Sequence, residues 1–420
     1  SNLHLSDACF DKVSGISAVS EDIDGDTRNP VFPHPGADEV GTASNDIGIV
    51  SVESPSGTVS SGTQTVKVIV RNYGNNSVAG YNVNYKVAGG STVSQAVSNT
   101  LASCANDTIT FTTTFSHTVG CTNLNAWTSA PNSTTDGNAT NDTATSNFGV
   151  AMSGTFTVGG TSSDYNTIND AIDALNCAGV SGAVVFNIAS GTYTGQFELG
   201  SYTGASATNT ITFQAASGNA SDVKITNATT TTSARHTLKL NASKYIVLRH
   251  LTILNTNTTF AWPLHLLRSD YITVSNCVIQ TTTENTSSNF IGILVNGSAI
   301  SQYTGYKATD IKIDSCSISK AAWGIAAYGG GSSTSSLSPG LEITNCNMNN
   351  LGYYGMYLYY QTGMVVHNNV INLSTAVEAY TGIYCYYVKN NVQITQNQIR
   401  NSGYQGVYLI ASFIGVLSSF

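Results

Sequence analysis

LEITNCNMNNLGYYGMYLYY, residues Leu341–Tyr360, alternates apolar and polar side chains through Leu341 and Ile343, breaks at Asn345-Cys346, and resumes at Met348. Behind Gly355 it alternates again, with Met356 and Leu358 set against Tyr357 and Tyr359. A period of two places alternate side chains on opposite faces of a strand, so the stretch reads as strand, turn, strand, loop, strand. The first half recurs as ITVSNCVI, IKIDSCSI, MVVHNNVI and VQITQNQI, with apolar residues at offsets 0, 2 and 7. IVLRHLTI from Ile246 is an earlier, poorer copy. From Ile272 the starts are 39, 30, 23 and 28 residues apart, at Ile311, Leu341, Met364 and Val392. Each copy is followed 13 to 20 residues on by a glycine motif: GILV (Gly292), GIAA (Gly324), GMYL (Gly355), GIYC (Gly382) and GVYL (Gly406). A repeat of strands without helices, whose loops vary while its strands do not, is what a parallel β-helix requires. One coil cannot bury its inner face without neighbours.

Composition narrows the function. The chain has 420 residues, 10% of them charged, and a net charge of -8, which argues against nucleic acid or an anionic membrane as partner. No apolar run approaches the roughly 18 residues of a membrane span, and no secretory leader opens the chain. The polar content is Ser, Thr, Asn and Gly with 22 Tyr, which suits an extracellular all-β protein.

Three parts follow in order. Residues 1–41 are irregular. Residues 42–150 carry the strand-like runs IGIVSV, TVKVIV, YNVNYKV and TITFTTTF between Gly, Ser and Asn turns, the pattern of a β-sandwich. Val66, Val68 and Val70 share one face there, as do Tyr81, Val83, Tyr85 and Val87. Cys104 and Cys121 flank NDTITFTTTFSHTVG and are candidates for a disulfide across that hairpin, two free thiols being the other reading. Residues 151–420 open with one amphipathic helix, in which Tyr165, Ile168, Ile172 and Leu175 fall at helical spacing behind Ser163 or Asp164, with Gly179 after the end. Its expected role is to cap the open end of the coil stack.

These residues carry a resemblance. Residues 151–420 resemble the right-handed parallel β-helix, pectin-lyase-like superfamily. SDYNTINDAIDALN with GAVVFNIASGTYTGQ is similar to the opening of such modules in large secreted proteins of Bacteroidetes-type bacteria. NDIGIVSVESP, VIVRNYGNNSVAGYNVNYKV and DGNATND are similar to the start, middle and end of the CARDB-type immunoglobulin-like module. SNLHLSDACFDKV, DIDGDTR and GADE resemble the closing segment of a preceding β-helix module. The resemblance implies a piece of a longer polypeptide, with the β-helix incomplete at its C-terminus, or covered there by a neighbouring copy or a further module. It specifies architecture well and chemistry poorly.

Candidate chemistry is sparse. Of the outward positions on the first strand of each coil, Lys312, Asp314 and Glu342 alone bring charges together, and surface ion pairs are the ordinary reading of such a trio. Asp22, Asp24 and Asp26 gather carboxylates around Gly25 as a structural calcium loop does, without the distal bidentate Glu of an EF-hand. Asp136, Asn138 and Asp142 form a second oxygen-rich loop. No other cofactor is implied. Cys277, Cys316 and Cys346 share a turn position with Asn369 and Asn397, which reads as an inward ladder and not as nucleophiles. Tyr357, Tyr359, Tyr384, Tyr386, Tyr408 and Tyr328 point outward on successive coils. They either stack to stabilise the ladder or form a surface for a glycan or a protein neighbour. Thr108 and Thr143 stand in Asp-Thr-apolar contexts, which the bacterial resemblance implies are O-glycosylation sites. The expectation is a non-enzymatic, extracellular or cell-surface rod, adhesin or filament, without membrane insertion or nucleic acid. The alternative is a carbohydrate-active β-helix enzyme or glycan-binding module.

Overall fold

In the computed structural model the described residues are 20–23, 25, 27 and 43–418, apart from 119, 283, 378–379 and 412–415. The chain divides into two compact units, Ser1–Ala151 and Met152–Phe420. Nearly all of segment 1–41 lies outside the described residues, as do Asp24 and Asp26 of the expected calcium loop. Among the described residues, no group of three or more His, Cys, Asp or Glu is placed to hold a metal ion.

The first unit is an antiparallel sandwich. One sheet runs Ile47–Ser54, Lys67–Asn72, Asn106–Thr110; the other runs Gly57–Val59, Thr143–Val150, Cys121–Ser129, Tyr81–Val87, Val93–Val97, with Gly57–Val59 joining in parallel. Alternation decides what is inside: Val66, Val68, Val70, Tyr81, Val83 and Tyr85 are all buried, in one cluster with Leu124 and Phe148. Each such side chain contributes about 1.5–3 kcal/mol.

The hairpin expected between Cys104 and Cys121 does not form. Asn106–Thr110 pairs with Lys67–Asn72, whereas Phe115–His117 leaves it to pair with Gly62–Gln64. Cys104 sits at the Asn72 end, donating its N–H to Asn72 O at 2.8 Å, and Thr128 Oγ1 bonds Ile47 O at that same end. Cys121 lies seven residues along its strand from Thr128, about 23 Å of extended chain. Both cysteines are disulfide-bonded, as is Cys177.

The oxygen-rich loop at Asp136 spends its acceptors on backbone. Asp136 takes Ile47 N–H at 3.0 Å and Asn138 N–H at 2.9 Å. Burial, then the charges of Asp136 and Asp46, push the Asp142 carboxyl up to about 6.

The second unit is a right-handed parallel β-helix of three sheets. The first has ten strands, from Met152–Val158 to Val416–Ser418; the second has eight, from Gly191–Thr194 to Gln398–Arg400; the third has eight, from Phe197–Leu199 to Gln405–Ile410. Every pairing within them is parallel, and apart from shifts at Met152/Gly154 and Asn349/Leu351 the register is kept, so equivalent residues of successive coils stack in columns. The repeat offsets are the core: Ile272, Val274, Ile279, Ile311, Ile313, Ile318, Leu341, Ile343 and Met348 are all buried.

The helix, α1, spans Ile168–Ala178, shorter than expected. Its cap is Thr167, not Ser163 or Asp164: Thr167 and Asp170 form a reciprocal capping box, which satisfies two backbone donors at the first turn. Asp164 instead accepts from Thr157 N and Oγ1, and Tyr165 bridges to Val158 outside the helix. The buried face of α1, Ile168, Ala171, Ile172 and Leu175, belongs to the same core cluster as Val184 and Phe186 of the first coils.

From the coil at Ile246 on, each turn between first and second sheets passes through one residue at positive φ: His250, Asn276, Ser315, Asn345, Asn368 and Gln396, at 52–55°. Asn tolerates that region better than most side chains, which explains its frequency there. The next residue points inward and reaches back one coil. Cys316 Sγ bonds Val274 O, Cys346 Sγ bonds Ile313 O, Asn369 Nδ2 bonds Ile343 O and Asn397 Nδ2 bonds Val366 O. Cys277, Cys316, Cys346 and Cys385 are free and buried. Hydrogen bonding along the row and then burial hold the Cys316 and Cys346 thiols well above their usual range. Those thiols are structural.

Candidate functional site

The third sheet carries the outward tyrosines. Its late strands read Trp323–Tyr328, Tyr354–Tyr359, Thr381–Tyr386 and Gln405–Ile410. Met356, Leu358, Ile383 and Cys385 go to the core, and the intervening positions go out. Register resolves the expected surface into two columns. Ala326, Tyr357, Tyr384 and Tyr408 follow one another, and beside them run Tyr328, Tyr359, Tyr386 and Ile410.

The rings stack on each other. Tyr328–Tyr359 and Tyr359–Tyr386 lie 4.6 and 4.9 Å apart, nearly parallel. Trp323, Tyr357 and Tyr384 continue at 4.4 and 5.2 Å, and Tyr408 meets Tyr384 edge-on at 5.3 Å. All six tyrosines are half-buried. Tyr357 donates to Tyr359 Oη at 2.9 Å. Burial pushes Tyr357 up to about 12 and raises Tyr359 and Tyr328 as well, so these phenols stay neutral at physiological pH.

Two further columns went unrecognised in the sequence. Tyr353, Tyr380 and Tyr404 stack at 5.2 and 4.6 Å, within 11° of parallel. Their signal was a tyrosine two residues before each of the last three motif glycines. Tyr360 and Tyr387 follow the strand ends at positive φ, with Lys389 Nζ 4.0 Å above the Tyr387 ring. The result is a patch several tyrosines wide, in which ring faces are turned toward neighbouring rings.

The charges expected together on the first sheet do meet. Lys312 and Glu342 are register partners with a 3.3 Å ion pair, both about half exposed. Asp314 accepts from Thr344 Oγ1 and Asn345 Nδ2 at 2.6 and 2.8 Å, and its side-chain hydrogen bonds hold its carboxyl below the usual range against the cost of burial. An ion pair this exposed contributes about 0–1 kcal/mol.

A cluster with acid and base groups lies elsewhere, on the early strands of the third sheet, where the sequence reading did not look. Glu198 pairs with Lys239 at 2.8 Å and accepts from Asn241 at 2.7 Å. His265, the next outward residue in register after Lys239, is buried with Nε2 2.8 Å from Asn296 Oδ1. Burial lowers His265 to about 3 and the nearby buried His236 to about 4. Both imidazoles are neutral and closed off, and the carboxylate is already paired. Thr108 and Thr143 are exposed on sandwich strands. Among the described residues no helix is long and apolar enough to cross a membrane.

Comparison with known proteins agrees with the coil. The family model described as a right handed beta helix region matches residues 256–416. No curated protein matches the chain. A crystal structure of a CARDB domain in complex with di-metal ions, from Pyrococcus furiosus, is similar at 21% identity and a TM-score of 0.23, covering 26% of this chain and 96% of that one. A pectin methylesterase from Erwinia chrysanthemi is similar at 11% identity and a TM-score of 0.35, covering 61% and 82%. The catalytic domain of a GH87 alpha-1,3-glucanase in complex with nigerose is similar at 12% identity and a TM-score of 0.31, covering 89% and 96%. Residues 256–416, which hold the whole tyrosine face, are thus the part of the chain that reads as a right-handed β-helix both by family model and by structure.

Proposed function

We propose that this chain is a non-enzymatic, modular extracellular protein, part of an elongated rod, adhesin or filament whose lateral contacts are made by the tyrosine face. The observation that carries this is the stacking of outward tyrosines in register over successive coils. A stiff column that repeats one neutral, hydrogen-bonding surface over its late coils supplies length and repeated contact. A protein neighbour suits it better than a glycan does. Sugar rings stack on open aromatic faces, whereas here the faces are used within the columns and edges and hydroxyls remain. Neighbouring copies or further modules of the same polypeptide are the partners this reading favours.

Tyr357→Ser combined with Tyr384→Ser is expected to abolish concentration-dependent assembly, seen by sedimentation velocity and negative-stain imaging, with far-UV circular dichroism unchanged. A wild-type chain that stays monomeric at high concentration would sink the proposal. So would cleavage of a polysaccharide by this segment. Surface exposure at Thr108 and Thr143 fits the extracellular reading. Peptides containing either residue, isolated from the native source, are expected to carry a glycan mass, and unmodified peptides would count against it.

A further inference from the structure

The outward side of the third sheet changes character before Trp323. Three outward positions there are dry: His265 is 1% exposed, Leu294 and Asn296 0%. A loop at residues 297–305 packs on this side of the sheet, bonded to Asn296 and set beside Trp323. Its ends meet, Gly297 N–H donating to Thr304 O at 2.8 Å, and a Cβ on Gly297 would lie 2.4 Å from Gly305 O. A compact loop with touching ends is an Ω-loop. Three bonds fasten it to the coil. Asn296 Nδ2 donates to Ser301 O at 2.7 Å, Gln302 Nε2 to Ser288 Oγ at 2.7 Å, and Arg268 Nε to Gly297 O at 3.0 Å. Tyr303 then packs 6.0 Å from Trp323 and 6.3 Å from Tyr328. The first fastening is shared with the interior, because the same Asn296 takes His265 Nε2 at 2.8 Å on its Oδ1. One amide joins the buried imidazole to the loop.

We propose that residues 297–305 form an acid-released lid: protonation of His265 frees the loop and uncovers Trp323, against which its Tyr303 packs, and with it the apolar cluster that Trp323 shares with Ile291 and Leu294. The reason is that an imidazolium at this place meets no anion. The lid holds Ser, Ala, Ile, Gln, Tyr, Thr and Gly only, its sole titratable group being Tyr303. The following strand presents Leu294 and Asn296, both uncharged. The preceding strand presents His236 and Lys239, which add positive charge, and Arg235 lies over the Trp262 ring at 4.6 Å. The nearest carboxylate, Glu198, is two strands away and already paired with Lys239. The charged imidazole is relieved by water, which reaches it once its partner Asn296 is released from the loop.

The sign follows from linkage. Burial depresses His265 to about 3 with the lid closed, while a solvated imidazole titrates near 6.5. The closed form keeps its full advantage above pH 6.5 and loses it as pH falls toward 3. At pH 4.5 the two-unit gap from 6.5 shifts the opening equilibrium by about 100-fold.

The test follows tryptophan emission, in a Trp127→Phe background, and binding of the apolar dye ANS from pH 7.5 to 4.5, with far-UV circular dichroism to report the coil. Expected are a reversible red shift and a rise in dye binding with the β signal kept. His265→Gln, which retains a donor toward Asn296 but cannot titrate, is expected to remove the response. Asn296→Ala is expected to bind dye already at pH 7.5. Unchanged emission and dye binding down to pH 4.5 would overturn the proposal, as would an equal response in His265→Gln. Should His265→Gln not fold, a folded Asn296→Ala that binds no dye at pH 7.5 would overturn it as well.

Discussion

Replacing Gly355 with alanine is expected to destabilise the β-helix by about 3 kcal/mol, seen as a fall in the urea midpoint of its tryptophan transition. A Cβ there would lie 2.3 Å from Gly382 O and 2.6 Å from Ile371 Cγ2. Neither can give way easily, since one is the backbone of the next coil and the other a core side chain at 0% exposure. Overpacking a tight core typically costs 1–3 kcal/mol, and backbone that must move to relieve it adds to the cost. The same column contains its own control. A Cβ on Gly406 meets only Ile399 Cδ1, at 3.9 Å, so Gly406→Ala is expected to leave the midpoint nearly unchanged. Equal effects of the two substitutions would refute the steric account of the motif glycines.

Asn369→Ala is expected to cost a similar amount for a different reason. The Asn369 side chain is fully buried and satisfies groups on both sides: its Nδ2 donates to Ile343 O and Asn397 Oδ1, and its Oδ1 accepts Cys346 N–H, all at 2.9 Å. Alanine leaves a carbonyl and an N–H without partners in the core, at about 1–3 kcal/mol each. Asn369→Cys should cost roughly half as much. Cysteine holds the same rung at Cys346 and reaches the preceding coil's carbonyl through its thiol, but it offers no acceptor to the N–H of the coil before. The ordering Asn, Cys, Ala in urea midpoint checks the ladder. An alanine variant as stable as wild type would mean that water satisfies these groups.

The tyrosine face was half legible. Tyr357, Tyr359, Tyr384, Tyr386, Tyr408 and Tyr328 were found because strand parity is local, and parity assigns inside and outside once the glycine motif is aligned. Tyr353, Tyr380 and Tyr404 precede the strands, where parity has no hold, and only the stacking of coils showed that they form a column. His265 was missed because it occupies an early strand, in WPLHLL, which lacks the motif glycine. Its hydrogen-bond partner, Asn296, lies 31 residues later in sequence.

Apolar offsets 0, 2 and 7, the motif glycines and the recurring Asn or Cys specify the coil from sequence, because each coil's inner face is local and every coil repeats it. The sandwich strands were legible for the same reason of period. Which strands pair, however, is a choice between distant segments. NDTITFTTTFSHTVG reads as a hairpin, yet its halves pair with Lys67–Asn72 and Gly62–Gln64 and not with each other. The start of α1 likewise rests on where Asp164 bonds, to Thr157 in a neighbouring strand, leaving Thr167 to cap. Local alternation decides which face of a strand is buried. Partners and stacking depend on three-dimensional neighbours, and these place the tyrosine columns and the loop that Asn296 ties to His265.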